Sequence, residues 1–409
     1  MRSFNIDIII LTHEYPPYIF GGVATYNRNV AEWLAQKGWR VLVISGKSSL
    51  TEKIICRETN SNLSVCRIYL PEVPPRWFIY GLIIHEYLKN LLKKVKQKVI
   101  IIANGLNSWL VFRGIKDLRN RCRLVTIFHG SLYAPLIFYS SIFHLKDLIY
   151  ALLSSEESLY FLETPLLNFL IRNDLCISDY NIFVAKHVLY EFKQLYKDLS
   201  DKIRKGEVVY PGIEFEELNK LKQDAKREAK DEIIVAFIGR LFYSKGITHV
   251  VKAMEYLIKE LRERKVKLWI FGRGSLETWL KWYIKKAQLL NHVKLFGFVS
   301  RHRLLSILAK YVDVSLHPSL YEAAPLAVIE SQALGIPVVT YDLPWAHEFV
   351  LHGINGFRAP YLDITRLAEY SIKAIDLNTQ KIIHTAKRYD KNQTFKGLEA
   401  LLLRLINFA

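Results

Sequence analysis

Short apolar runs alternate along the chain with stretches of helical periodicity. Ile6–Leu11, Val41–Ser45, Val99–Ala103, Leu124–Phe128, Leu159–Leu162 and Asn181–Ala185 have the length and continuity of strands covered on both faces. The series then restarts with Ile233–Ile238, Lys267–Phe271, Val293–Phe296, Val312–Leu316 and Pro337–Thr340. Strand and helix in alternation predict βαβ units, so the pattern describes two doubly wound α/β halves.

Between the halves, Val208–Ile213 reads as a strand ended by Pro211-Gly212, and a highly charged stretch, Glu214–Glu232, follows. This puts a hinge near Pro211. From Ile364 to Phe408 the periodicity is helical, which predicts closing helices. The expected division is therefore 1–211, 212–361 and 362–409. A chain of 409 residues is longer than the roughly 250–300 residues one core usually serves, which agrees with two main domains. The most apolar long stretch, Ser131–Leu153, is broken by His144, Lys146 and Asp147 and falls short of the ~20 apolar residues that span a bilayer. A core helix and a helix resting on a membrane both fit it.

Composition adds a sign to this picture. Apolar residues make up 51% and charged residues 23%, which excludes a disordered chain. A formal charge of +18 points to an anionic partner: a phosphorylated substrate, a membrane face or nucleic acid. Cys56, Cys66, Cys122 and Cys176 lack CxxC spacing, so buried free thiols are expected rather than zinc or disulfides. The N-terminus lacks a signal-peptide pattern, which leads to a cytoplasmic expectation.

In open α/β sheets ligands bind beyond the carboxyl ends of the strands, so candidate chemistry is sought there. After the first strand come His13-Glu14-Tyr15-Pro16-Pro17 and then Gly21-Gly22-Val23 at the start of a helical stretch. A glycine pair permits close approach, and a helix N-terminus offers amides to a phosphate; a plain tight turn has the same look. After Ile233–Ile238 come Gly239-Arg240 and Lys245-Gly246, two cations suited to a diphosphate. Gly272 in Phe271-Gly272-Arg273-Gly274 makes a further turn after the next strand. Glu322 and Glu330 flank Ala323-Ala324-Pro325-Leu326, where Pro325 marks a helix start, placing Glu322 in the loop and Glu330 inside the helix. Carboxylates accept hydrogen bonds from sugar hydroxyls and repel phosphate. The amides of Ala323, Ala324 and Leu326 add the positive end of a helix dipole.

The segment from about Ile233 to Phe357 resembles the donor domain of the family four glycosyltransferases. The resemblance rests on Gly239-Arg240 with Lys245-Gly246, the spacing of Glu322 and Glu330, Ala333-Leu334-Gly335-Ile336-Pro337-Val338-Val339, and Asn355-Gly356-Phe357. It implies a GT-B fold: two Rossmann-like domains facing a central cleft. It also implies Arg240 and Lys245 on the donor diphosphate, Glu322 on the transferred sugar and Glu330 on the ribose. Gly21, Gly22, Gly239, Gly272, Ala323, Ala324 and Leu326 would complete the donor site. His129, directly after Leu124–Phe128, resembles the family's active-site histidine, so the implied catalytic set is His129, Arg240, Lys245 and Glu322. The stretch Phe183–His187 lacks the serine expected near that strand end.

The implied reaction is transfer of a sugar from a nucleotide diphosphate sugar to a hydroxyl, with retained configuration and without metal or other cofactor. The acceptor would be a glycan, a lipid-linked sugar or a small molecule; an anionic membrane face is a candidate further partner, and nucleic acid is not expected as one. A GT-B epimerase or phosphorylase is the competing enzyme reading. A basic nucleic-acid or membrane module with a vestigial donor site is the competing non-enzyme reading.

Overall fold

The structure, a computed structural model, describes residues 5–18, 21–47, 54–71, 76–104, 108–130, 160–225, 231–259, 262 and 265–407. The apolar stretch Ser131–Leu153 lies outside them. The described residues form two compact units, one of residues up to 130, 163–212 and 391–407, the other essentially 213–390.

The first unit carries an eight-stranded sheet of β1 (Ile8–Thr12), β2 (Val41–Lys47), β3 (Ile54–Asn60), β4 (Leu63–Tyr69), β5 (Val99–Asn104), β6 (Cys122–Phe128), β7 (Tyr180–Phe183) and β8 (Glu207–Val208). Their order is β3-β4-β2-β1-β5-β6-β7-β8. Ile8, Ile9, Ile10 and Leu11 are fully buried, as a central parallel strand requires. The edge strand β3 runs antiparallel to β4. Neither is a continuous apolar run of the kind a strand buried on both faces shows, because β3 passes into Arg57-Glu58-Thr59-Asn60 and β4 is broken by Ser64 and Arg67.

That hairpin corrects the cysteine expectation. Cys56 and Cys66 face each other across β3 and β4 and are joined in a disulfide. Sequence spacing of ten residues carries no disulfide signal, but antiparallel register brings the two together. Cys122 is a buried free thiol, whereas Cys176 is free and exposed. A second correction concerns Leu159–Leu162, expected as a strand: helix Tyr160–Ile177 begins there. A short apolar run cannot be told from the start of a longer apolar helix by periodicity.

The second unit holds a six-stranded parallel sheet of β9 (Ile233–Ile238), β10 (Val266–Phe271), β11 (Val293–Gly297), β12 (Val314–Leu316), β13 (Val338–Tyr341) and β14 (Gly356–Ala359), in the order β11-β10-β9-β12-β13-β14.

The expected segment 362–409 is not one body. Helices Ile364–Lys373 and Thr379–Ala386 belong to the second unit, and helix Lys391–Asn407 to the first. The last helix buries Phe395, Leu398, Leu401 and Leu402 completely, with Phe395 against Tyr26 and Trp33 of helix Gly22–Gln36. Trp33 Nε1 also donates to Asn392 Oδ1 at 3.0 Å. Its apolar stripe thus matches a helix some 360 positions earlier, a pairing that periodicity does not reveal. Among the described residues, no helix is long and apolar enough to cross a membrane.

Candidate active site

Each sheet has a point where its strand order reverses, and loops leaving neighbouring strands diverge there to open a crevice. In the second unit that point lies between β9 and β12, which pair in parallel. The loop after β9 carries Gly239, Arg240 and Lys245; the loop after β12 carries His317, Ser319 and Glu322. Leu320 N–H donates to Ser244 O at 2.8 Å, tying the loops together.

Lys245 Nζ lies 2.7 Å from Glu322 Oε1, both side chains about one-fifth exposed. Burial alone would raise the Glu322 carboxyl. The Lys245 charge, with hydrogen bonds from Lys245 and Ser319, overcomes this and holds it below its ordinary value. His317 is buried beside this pair and its ring is pushed down to about 4, chiefly by burial. Arg240 is exposed, its guanidinium 4.7 Å from the Phe242 ring.

Glu330 lies in helix Leu326–Ala333, preceded by Pro325, so Glu322 is in the loop and Glu330 in the helix. The two carboxylates have different partners. Glu330 Oε1 accepts from Arg301 Nε at 2.9 Å and lies 2.8 Å from an Arg301 terminal nitrogen. Arg301 opens helix Arg301–Tyr311 after β11. Glu330 is 8% exposed, and Arg301 is held charged because Glu330 outweighs the burial that opposes it.

Two glycines behave differently. A Cβ on Gly239 would meet only the Phe237 ring, at 3.4 Å, leaving that backbone open to a ligand. Gly272 has φ +144°, and a Cβ there would sit 1.8 Å from Gly239 O. Packing under the Gly239 loop therefore accounts for Gly272. Ala323, Ala324 and Leu326, all half-buried, stand at the start of the Glu330 helix.

In the first unit the strand order reverses at β1, flanked by β2 and β5. Helix Gly22–Gln36 starts beyond β1, with Gly21 as its cap residue. Gly21 N–H donates to the Glu14 carboxylate at 2.9 Å, so a protein anion already stands at the first of the amides expected to meet phosphate. Arg67 of β4 holds the Pro16-Pro17 loop through the carbonyls of Tyr15 (3.2 Å) and Pro16. His129 follows β6; its Nε2 lies 2.6 Å from Asn104 Oδ1, and Tyr26 packs edge-on at 5.0 Å. Burial, with His13 nearby, pushes the His129 ring down to about 3.

Two family models match, Glycosyltransferase Family 4 over residues 20–217 and glycosyl transferases group 1 over residues 219–394. Together they run over nearly the whole chain. It is a family 4 glycosyltransferase with the GT-B fold. An uncharacterized glycosyltransferase of Methanocaldococcus jannaschii, MJ1607, is 27% identical over 364 residues, 86% of this chain and 84% of the relative. Sucrose-phosphate synthase of Thermosynechococcus elongatus superposes with a TM-score of 0.72 at 19% identity, covering 99% of this chain and 98% of that one. Anabaena HepE in complex with UDP-glucose gives 0.66 at 18%, covering 98% and 100%.

The glycosyltransferase thus brings together Lys245 and Glu322, and separately seats Glu330 on Arg301. Sequence reasoning missed Arg301, His317, Ser319, Glu14, Arg67 and Asn104. Glu14 stood inside a motif already singled out. Arg301 and Glu330 lie 29 positions apart on different helices, so only the fold joins them.

Proposed function

We propose that this glycosyltransferase moves a hexose from a nucleotide diphosphate sugar to an acceptor hydroxyl, with retained configuration and without a metal. The observation that carries the reading is the Lys245–Glu322 pair beside the open Gly239 backbone at the strand reversal of the second unit. Arg240 and Lys245 take the diphosphate, Glu322 the sugar hydroxyls and Glu330 the ribose. As the bond from the anomeric carbon to the diphosphate breaks, negative charge grows on the leaving oxygens. Lys245, Arg240 and the amides at the Ala323–Leu326 helix start stabilise it, and this electrostatic help needs no proton from the enzyme. The acceptor oxygen then bonds to the anomeric carbon, and its proton passes to the departing phosphate. The HepE complex supports UDP-glucose as the first donor to try. His129, at the corresponding crevice of the first unit, serves the reacting sugar or the acceptor.

The charge of +18 supports a cytoplasmic enzyme resting on an anionic membrane face, where a lipid-linked acceptor is at hand. Liposome sedimentation with and without anionic lipid tests this part. For the donor, thermal shift across UDP-, GDP- and ADP-sugars is expected to pick one base, and proton NMR of the product anomer then reports the stereochemistry. Inverted product, a chelator-sensitive rate, or a rearranged sugar formed without acceptor would each overturn the corresponding part.

A further inference from the structure

Asn104 ends β5 and is 3% exposed, between β1 and β6. Its Nδ2 donates to Leu11 O of β1 at 2.9 Å. A carbonyl can only accept, so the amide's NH2 end must face Leu11 and its oxygen must face His129 Nε2 at 2.6 Å. Oδ1 in turn can only accept. The hydrogen between the two side chains therefore belongs to Nε2. Burial keeps the ring neutral near pH 7, leaving it one ring proton, and Tyr26 packed edge-on opposes turning of the ring.

We propose that Asn104 is a positioning residue that fixes the tautomer of His129, placing the proton on Nε2 and leaving Nδ1 as a hydrogen-bond acceptor. The chemical consequence rests on His129 serving the reaction, as proposed above. An unprotonated nitrogen accepts from a hydroxyl and repels a phosphate oxygen, so the ligand group His129 receives is a sugar or acceptor hydroxyl rather than the diphosphate. A backbone carbonyl on β1 thereby sets, through one amide, what a side chain after β6 can recognise.

The test is nitrogen-15 NMR of the histidine rings in the full chain, with the His129 signals assigned by their loss in His129→Gln. The wild-type protein is expected to show protonated Nε2 and bare Nδ1. Asn104→Asp keeps an acceptor oxygen and should keep that tautomer, with His129 taking up its second proton at higher pH. Asn104→Leu removes the acceptor and should move the proton partly or wholly to Nδ1. With UDP-glucose as donor, Asn104→Leu should lower kcat roughly tenfold or more with donor KM little changed, while Asn104→Asp recovers part of it. Protonated Nδ1 in the wild-type protein overturns the proposal even if Asn104→Leu does not fold, as does an unaltered His129 spectrum in that variant. Full turnover in His129→Ala would instead remove the functional reading and leave the tautomer assignment standing.

Discussion

Lys245 and Glu322, 77 positions apart, meet at 2.7 Å because their loops leave the carboxyl ends of two strands that pair in parallel. The lysine keeps the Glu322 carboxylate ionised in a half-buried place. In the proposed reaction the ammonium meets the diphosphate, and the ionised carboxylate accepts from sugar hydroxyls.

Lys245→Ala should abolish donor turnover with the protein still folded. It leaves burial as the dominant influence on Glu322, so that carboxyl should rise from below its ordinary value to above it. A turnover assay with the best donor, together with carboxyl titration by carbon NMR, checks both. Turnover within tenfold of wild type overturns the assignment.

Arg301→Met should be more damaging to stability, because it strands Glu330 at 8% exposure without its cation. Loss of one partner of a buried ion pair costs about 3 kcal/mol or more. Arg301→Lys should recover only part, since one ammonium cannot reproduce the two guanidinium contacts on Glu330 Oε1. Urea unfolding of the three proteins measures the order, and donor affinity should fall in the same order.

Gly272→Ala tests whether the turn after β10 is held by packing. The new methyl would meet Gly239 O at 1.8 Å in a backbone region L residues rarely enter. The outcome expected is a loss of about 2 kcal/mol or more, read as a lowered Tm. Gly239→Ala meets only a ring at 3.4 Å, so it should keep its stability and lose donor affinity.

Acid should weaken the fold well above the carboxylate range. His129 and His249 are pushed down to about 3 and His317 to about 4, all chiefly by burial. Their unfolded counterparts take up protons below about pH 6.5, while the folded rings do not. Stability therefore declines as pH falls from about 6.5 and levels for each histidine only below its folded value. At pH 5 each contributes a loss of about 2 kcal/mol relative to neutral pH. Urea midpoints at pH 7 and pH 5 measure the sum, and His317→Gln should remove a share of the slope.

Much of the architecture was readable in advance because a parallel strand buried on both faces is a continuous apolar run. Ile233–Ile238 and Val99–Asn104 show this plainly. The polar edge strand Ile54–Asn60 lacks that mark, and the run at 159–162 has the same mark inside a helix. At the candidate site, Arg240, Lys245 and Glu322 are legible as charges in loops after strands and Glu330 as one in the following helix. Arg301 and Asn104 were not, since their meaning comes from partners that only sheet order supplies. The same holds for Cys56 and Cys66, whose link depends on the register of β3 against β4.

The closing helix Lys391–Asn407 also sets a timetable. It covers Tyr26 and Trp33 of the first unit, yet it is made after all of the second. On the ribosome the unit at 213–390 has its whole sequence available while the earlier unit still lacks a wall of its core. Tyr26 touches both Phe395 and His129, so the wall that arrives last also steadies the His129 ring. A chain cut short before Lys391 would keep Lys245, Glu322 and every other residue of the proposed donor site, and lose that support.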